Sequence, residues 1–204
     1  SHAASRDAGI PYPEVDIVEI WRTVVTELVR RGVVEKGAWD QRQLERLAVE
    51  YEARANSVWP MPGLEACLER LSEAGLLLGI VSNAQFYTRE LFPALLGQPA
   101  ERWGFDPELQ YYSYEHGRAK PGPDLYEMSA RDLRGRGFEP GEVLYVGNDM
   151  LNDVYPARQV GFRTALFAGD ARSLQLRPGN PQVDGVSPDL VLTSLVELAE
   201  CVLI

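Results

Sequence analysis

Three groups of polar residues, each directly after a short apolar run or the loop that leaves it, have the types and order that chemistry on an oxyanion requires: Ser82-Asn83, Lys120, and Asp149 with Asp153. A hydroxyl followed by a free backbone N–H can hold one oxygen of a phosphoryl group. A lysine is a point charge able to offset a phosphate and an attacking carboxylate together. Two aspartates four positions apart, across a strand-to-helix bend, present hard oxygen ligands of the kind Mg²⁺ prefers. Taken singly, each group also has a plain structural reading. Ser and Asn cap helices, isolated lysines stay solvated, and Asp149 and Asp153 suit a turn and a helix start. His116 lies beside Gly117 and is read as a loop residue.

The order becomes meaningful through the elements that must position these groups. The run Leu76 to Val81 is continuous and apolar, as a buried parallel strand is, and Ser82 follows it. Further strands are predicted over 109–114, 143–146, 164–167 and 190–192. Helical spacing separates several of them, at 88–96, 123–134 and 152–160. Alternation of this kind predicts an α/β fold with a doubly wound, Rossmann-like parallel sheet, whose ligands bind beyond the carboxyl ends of the strands. The three groups fall at those ends. Pro178 to Pro188, rich in Pro, Gly and Asn, reads as a surface loop.

Ahead of the sheet, Ile17, Ile20, Trp21, Val24, Val25, Leu28 and Val29 recur at helical spacing. A second amphipathic helix runs from about Trp39 to Ala55. Two such stripes must pack on each other and on a further surface, so residues 1–58 are expected to form a small helical cap. The Trp59-Pro60-Met61-Pro62-Gly63 segment breaks the helical period, and residues 59–204 form the α/β core.

Ser82-Asn83, Lys120 in Lys120-Pro121-Gly122-Pro123-Asp124, and Gly147-Asn148-Asp149-Met150-Leu151-Asn152-Asp153 resemble the second, third and fourth motifs of the haloacid dehalogenase-like hydrolase superfamily, and the leading helices sit where that superfamily places a C1-type cap. The resemblance implies a Mg²⁺-dependent phosphatase-type hydrolase acting on a small phosphorylated metabolite. Ser82, Lys120, Asp149 and Asp153 are then catalytic, Ser82, Asn83 and Lys120 bind substrate, and Asp149 and Asp153 hold metal. It also implies a first motif, Asp-x-Asp, whose first acid attacks phosphorus while the second moves a proton. No Asp-x-Asp occurs in the 204 residues. Asp7 and Asp16 follow no strand-like run and are not promoted to that role. Because the superfamily's first strand lies between the strands ending at Ser82 and Gly147, a full-length protein is expected to carry it upstream of Ser1, and this chain alone is expected to be inactive. Lys120 is expected to serve the transition state and not the fold. The alternatives are a 2-haloacid dehalogenase, which needs no metal, and a non-catalytic scaffold or fragment.

Composition narrows the partners. Thirty acidic against twenty basic side chains, a formal charge of −10, argue against a nucleic-acid surface. No apolar run is long enough to cross a membrane and no signal peptide is visible, so a cytoplasmic location is expected. Cys67 and Cys201 lie in apolar helical patterns without metal spacing and are expected to be buried thiols.

Overall fold

The computed structural model describes residues 11–37 and 39–202, so Asp7 lies outside the described residues. Helices α1 (Ile17–Arg30) and α2 (Gln41–Ala55) begin on aspartate caps. Asp16 accepts from the N–H groups of Val18 and Glu19, and Asp40 with Gln43 closes a reciprocal capping box. Val18 and Val25 of α1 and Leu44 of α2 are buried together, with Trp21, Trp39 and Leu47 around them and Phe86 joining from outside the pair. The two apolar stripes therefore cover each other and rest on the segment that follows the first strand. Near the opposite end of the chain's first third, α3 (Leu64–Glu73) starts from Gly63, whose φ of 79° suits a residue without a Cβ.

Five strands follow: β1 (Leu78–Ser82), β2 (Phe105–Tyr112), β3 (Leu144–Gly147), β4 (Arg163–Phe167) and β5 (Leu190–Leu192). Between them lie α4 (Leu91–Leu96), α5 (Ser113–His116), α6 (Asp124–Gly135) and α7 (Tyr155–Gln159), with α8 (Leu195–Val202) last. All the strand pairs are parallel, which makes this an α/β fold of the expected kind. Helical packing closes both sides of the strands. Cys67 and Leu71 of α3 meet Ala165, Leu192, Leu198 and Ala199, while Tyr126 and Ala130 of α6 meet Ala157 and Phe162.

The sheet comes in two pieces. Backbone hydrogen bonds join β1 to β2, and separately join β3, β4 and β5 in that order; none among the described residues joins β1 to β3. Both strands thus present an open edge to the seam between them. Buried backbone groups need partners, and here side chains supply one: the Val81 carbonyl accepts from Tyr145 Oη at 2.9 Å and from Lys120 Nζ at 3.4 Å.

One expectation is corrected. Cys67 is buried, but Cys201 is exposed. The face of α8 that packs inward carries Leu195, Leu198, Ala199 and Val202, at spacings of three and four, and Cys201 falls off that stripe.

Candidate active site

The loops after β1 and β2 are pinned to each other by one amide. Asn83 Nδ2 donates to the Lys120 carbonyl at 3.1 Å, and the Lys120 N–H donates to Asn83 Oδ1 at 2.7 Å. A second tie is made by fully buried Ser113, whose hydroxyl accepts from the Ala84 N–H at 2.8 Å and donates to the carboxylate of Glu14. Ser82 sits half-buried at the end of β1, its hydroxyl only loosely engaged with the Asn83 carbonyl at 3.3 Å. Ser82 and Lys120 are therefore brought to the same end of the strands, with Asn83 as the brace between their loops.

The Lys120 side chain turns inward and meets Asp153. Nζ donates to Asp153 Oδ1 at 2.6 Å, with Tyr145 Oη 3.3 Å away, and the side chains of the pair are only 10% and 6% exposed. Burial works against the lysine's charge, but Tyr145 and Asp153 beside it outweigh that and hold the ammonium above its ordinary pKa. Asp153 Oδ2 accepts from the N–H groups of Asn148 and Asp149 at 3.1 and 3.0 Å. The carboxylate presses so close to Gly147 that a Cβ there would overlap it, which is why β3 must end on glycine.

Asp149 is engaged as fully. Its Oδ1 caps the following helical turn by accepting from Leu151 and Asn152 N–H, and Asn152 Nδ2 donates to Oδ2. Arg177 then grips both oxygens, Nε at 3.1 Å and Nη2 at 2.6 Å. Arg177 is also the one described non-glycine residue with positive φ, at 55°. Neither Arg177 nor Tyr145 was picked out from sequence. Arg177 lies in an irregular loop 28 residues beyond its partner, and Tyr145 stands in an apolar run with nothing to mark its hydroxyl.

These contacts decide how the site stands toward Mg²⁺. Both oxygens of Asp149 and both of Asp153 already have donors, and the two charges are neutralised by Arg177 and Lys120. Among the described residues no three His, Cys, Asp or Glu side chains gather as a metal site would need. As folded, Asp149 and Asp153 do not fit the cation, which would have to displace a guanidinium from one and an ammonium from the other.

The same contacts set a pH response. Burial pushes the Asp149 carboxyl up, but the Arg177 guanidinium and the two N–H groups of its cap together hold it below the usual carboxylate range. A depressed folded pKa stabilises the fold above the unfolded value of about 4, and that contribution is lost as pH falls through the folded pKa. Asp149→Asn is therefore expected to flatten the fall in urea midpoint between about pH 5 and pH 2 relative to wild type. Parallel curves for the two proteins would show that the Arg177 clamp adds nothing to stability.

Comparison with known proteins follows the same lines. The model of the haloacid dehalogenase-like hydrolase family matches residues 8–161. Glyceraldehyde 3-phosphate phosphatase of Pyrococcus abyssi is 28% identical over 115 residues, which are 52% of this chain and 42% of the relative, so the match spans less than half the length of that protein. The HAD phosphatase of Thermococcus onnurineus superposes with a TM-score of 0.55 at 22% identity, covering 89% of this chain and 78% of the other. L-2-haloacid dehalogenase of Xanthobacter autotrophicus does so with a TM-score of 0.57 at 22% identity, covering 93% and 76%. The last two likenesses establish the fold and leave the reaction open.

Proposed function

The chain belongs to the haloacid dehalogenase-like hydrolase family, and from that premise we propose that its site is built to hydrolyse a small phosphate monoester through an aspartyl-phosphate. The observation that carries this reading is the Lys120–Asp153 pair, buried at the carboxyl ends of the strands and facing the open seam between β1 and β3. An extended segment seated in that seam with an aspartate at its end would bring a carboxylate to Lys120. That carboxylate oxygen bonds to phosphorus as the ester oxygen leaves with its electron pair and takes up a proton; water then attacks phosphorus, releasing phosphate and freeing the carboxylate.

The chain's own residues supply the surroundings. Lys120 offsets the charge that carboxylate and phosphoryl bring together. The Ser82 hydroxyl and the backbone beyond it offer donors to a phosphoryl oxygen. Asp153 fixes the ammonium, Asn83 braces the loop that carries it, and Asp149 with Arg177 shapes the turn that presents Asp153. The two carboxylates expected to hold Mg²⁺ are already held by cations of the chain, Asp153 by Lys120 and Asp149 by Arg177. The curated relatives are named for a small phosphorylated aldehyde, in keeping with a compact substrate lodged beneath the helical pair α1 and α2.

The same closed carboxylates favour a second reading, displacement of halide from carbon, in which the carboxylate attacks a 2-haloacid and no metal is required. One assay separates them. A form of the protein carrying an Asp-x-Asp strand is offered p-nitrophenyl phosphate and 2-chloropropionate, with and without EDTA. Phosphate release is expected and chloride release is not; chloride alone, unaffected by EDTA, overturns the phosphatase reading.

A further inference from the structure

A cavity of about 280 Å³ opens between the helical pair and the loops that follow β1 and β2. Gln85 and Phe86 line it from just beyond Ser82-Asn83, and Gly117 from just before Lys120, while Asp16, Gln41 and Glu45 close it from the helical pair. Gln85 stands two residues beyond Asn83 and Gly117 three before Lys120, so the cavity lies beside the loops that would hold a phosphoryl group between Ser82 and Lys120. Glu14 also faces the cavity, which makes three carboxylates, and no lysine, arginine or histidine lines it among the described residues. Several arginines around it are paired with other groups, Arg118 with Asp124 at 3.7 Å among them. Arg22 holds Glu19 at 3.0 Å and Gln41 Oε1 at 3.1 Å, and Arg89 holds Glu115 and stacks on Tyr112.

Two of the three carboxylates have fixed structural duties: Asp16 caps α1, and Glu14 takes the Ser113 hydroxyl. Among the described residues Glu45 has a single partner, Gln41 Nε2 at 2.8 Å, one turn back on its own helix. It is the acidic side chain free to reach a guest. Carboxylates accept hydrogen bonds from hydroxyls and repel other carboxylates, and a like charge placed opposite another in a confined site costs several kcal/mol.

We propose that this cavity receives an uncharged, hydroxyl-bearing organic group and turns away esters that carry a carboxylate there, with Glu45 as the side chain that sets the preference. The proposal rests on the phosphoryl reading of Ser82 and Lys120. It is tested by calorimetric titration of the 204-residue chain with glycerol 1-phosphate, with 3-phosphoglycerate, which replaces one hydroxymethyl by a carboxylate, and with inorganic phosphate. Glycerol 1-phosphate is expected to bind at least about tenfold more tightly than 3-phosphoglycerate. Glu45→Lys is expected to remove that ratio, and Glu45→Gln to narrow it. Glu73→Lys, an equal change of net charge on the exposed end of α3, should leave it in place. Equal affinity for the two esters in the wild type, or the same narrowing with Glu73→Lys, overturns the proposal while the phosphoryl reading stands. Absence of binding by both esters and by inorganic phosphate overturns the phosphoryl reading, and this proposal with it.

Discussion

Lys120→Met, assayed in a form of the protein that carries an Asp-x-Asp strand, is expected to lower kcat by about 10² to 10³-fold, the scale of losing one preorganised electrostatic donor. It is also expected to destabilise the fold by about 3–5 kcal/mol, because Asp153 is left charged, buried and without its cation. The second effect reverses what the sequence suggests, that this lysine is spare to the fold. With both side chains at or below 10% exposure, the pair cannot hand its charge to solvent when one member goes. Converting Asp153 to Asn alongside should restore much of the stability, since the amide oxygen can still accept from Asn148 and Asp149 N–H while the unpaired charge is gone. It should restore no turnover. Urea midpoints and kcat for the two single variants and the double variant form the measurement. Single variants within about 1 kcal/mol of wild type would mean that the pair is solvated and the lysine structurally idle.

The contrast between Lys120 and Arg177 shows what a linear reading of this chain can reach. Strand ends are local events. An apolar run that stops at Ser82 or Gly147 announces both the strand and the place where ligands gather, so Ser82, Lys120, Asp149 and Asp153 were legible as a set. What each of them touches is not a local event. That Asp149 is clamped by an arginine beyond β4 depends on how the loop between β4 and β5 folds back, and neither period nor spacing encodes that return. Asn83 shows the same difficulty: the resemblance implies a substrate contact, and nothing in the spacing foretells that both ends of its side chain also hold the Lys120 backbone. Cys201 is the opposite case, since its position off the apolar stripe of α8 was present in the spacing and simply outweighed by the apolar run around it.

The open seam yields the largest expected effect. Alone, the 204-residue chain is expected to hydrolyse no p-nitrophenyl phosphate, because Ser82 and Lys120 can hold a phosphoryl group while Asp149 and Asp153 are each engaged by a cation of the chain, which leaves neither carboxylate free to attack it. An apolar segment about five residues long that ends in Asp-x-Asp, fused or supplied as a peptide, has two strand edges to pair with, the five residues of β1 and the four of β3. Strand addition satisfies backbone groups on both edges at once. It would also give the Val81 carbonyl a backbone donor, releasing Tyr145 Oη and Lys120 Nζ from that duty and leaving the ammonium to Asp153 and the arriving carboxylate. Stability and activity should therefore appear in one step. At a hundredfold excess over its Kd such a peptide contributes about 2.7 kcal/mol, which for a chain of this size is a rise in Tm of roughly 5–10 °C. An otherwise identical peptide with Asn in place of the first Asp should raise Tm as far and give no turnover, which separates filling the sheet from supplying the nucleophile. If the chain by itself hydrolyses the ester at a rate comparable to the complemented form, another residue attacks phosphorus and the aspartyl mechanism is wrong.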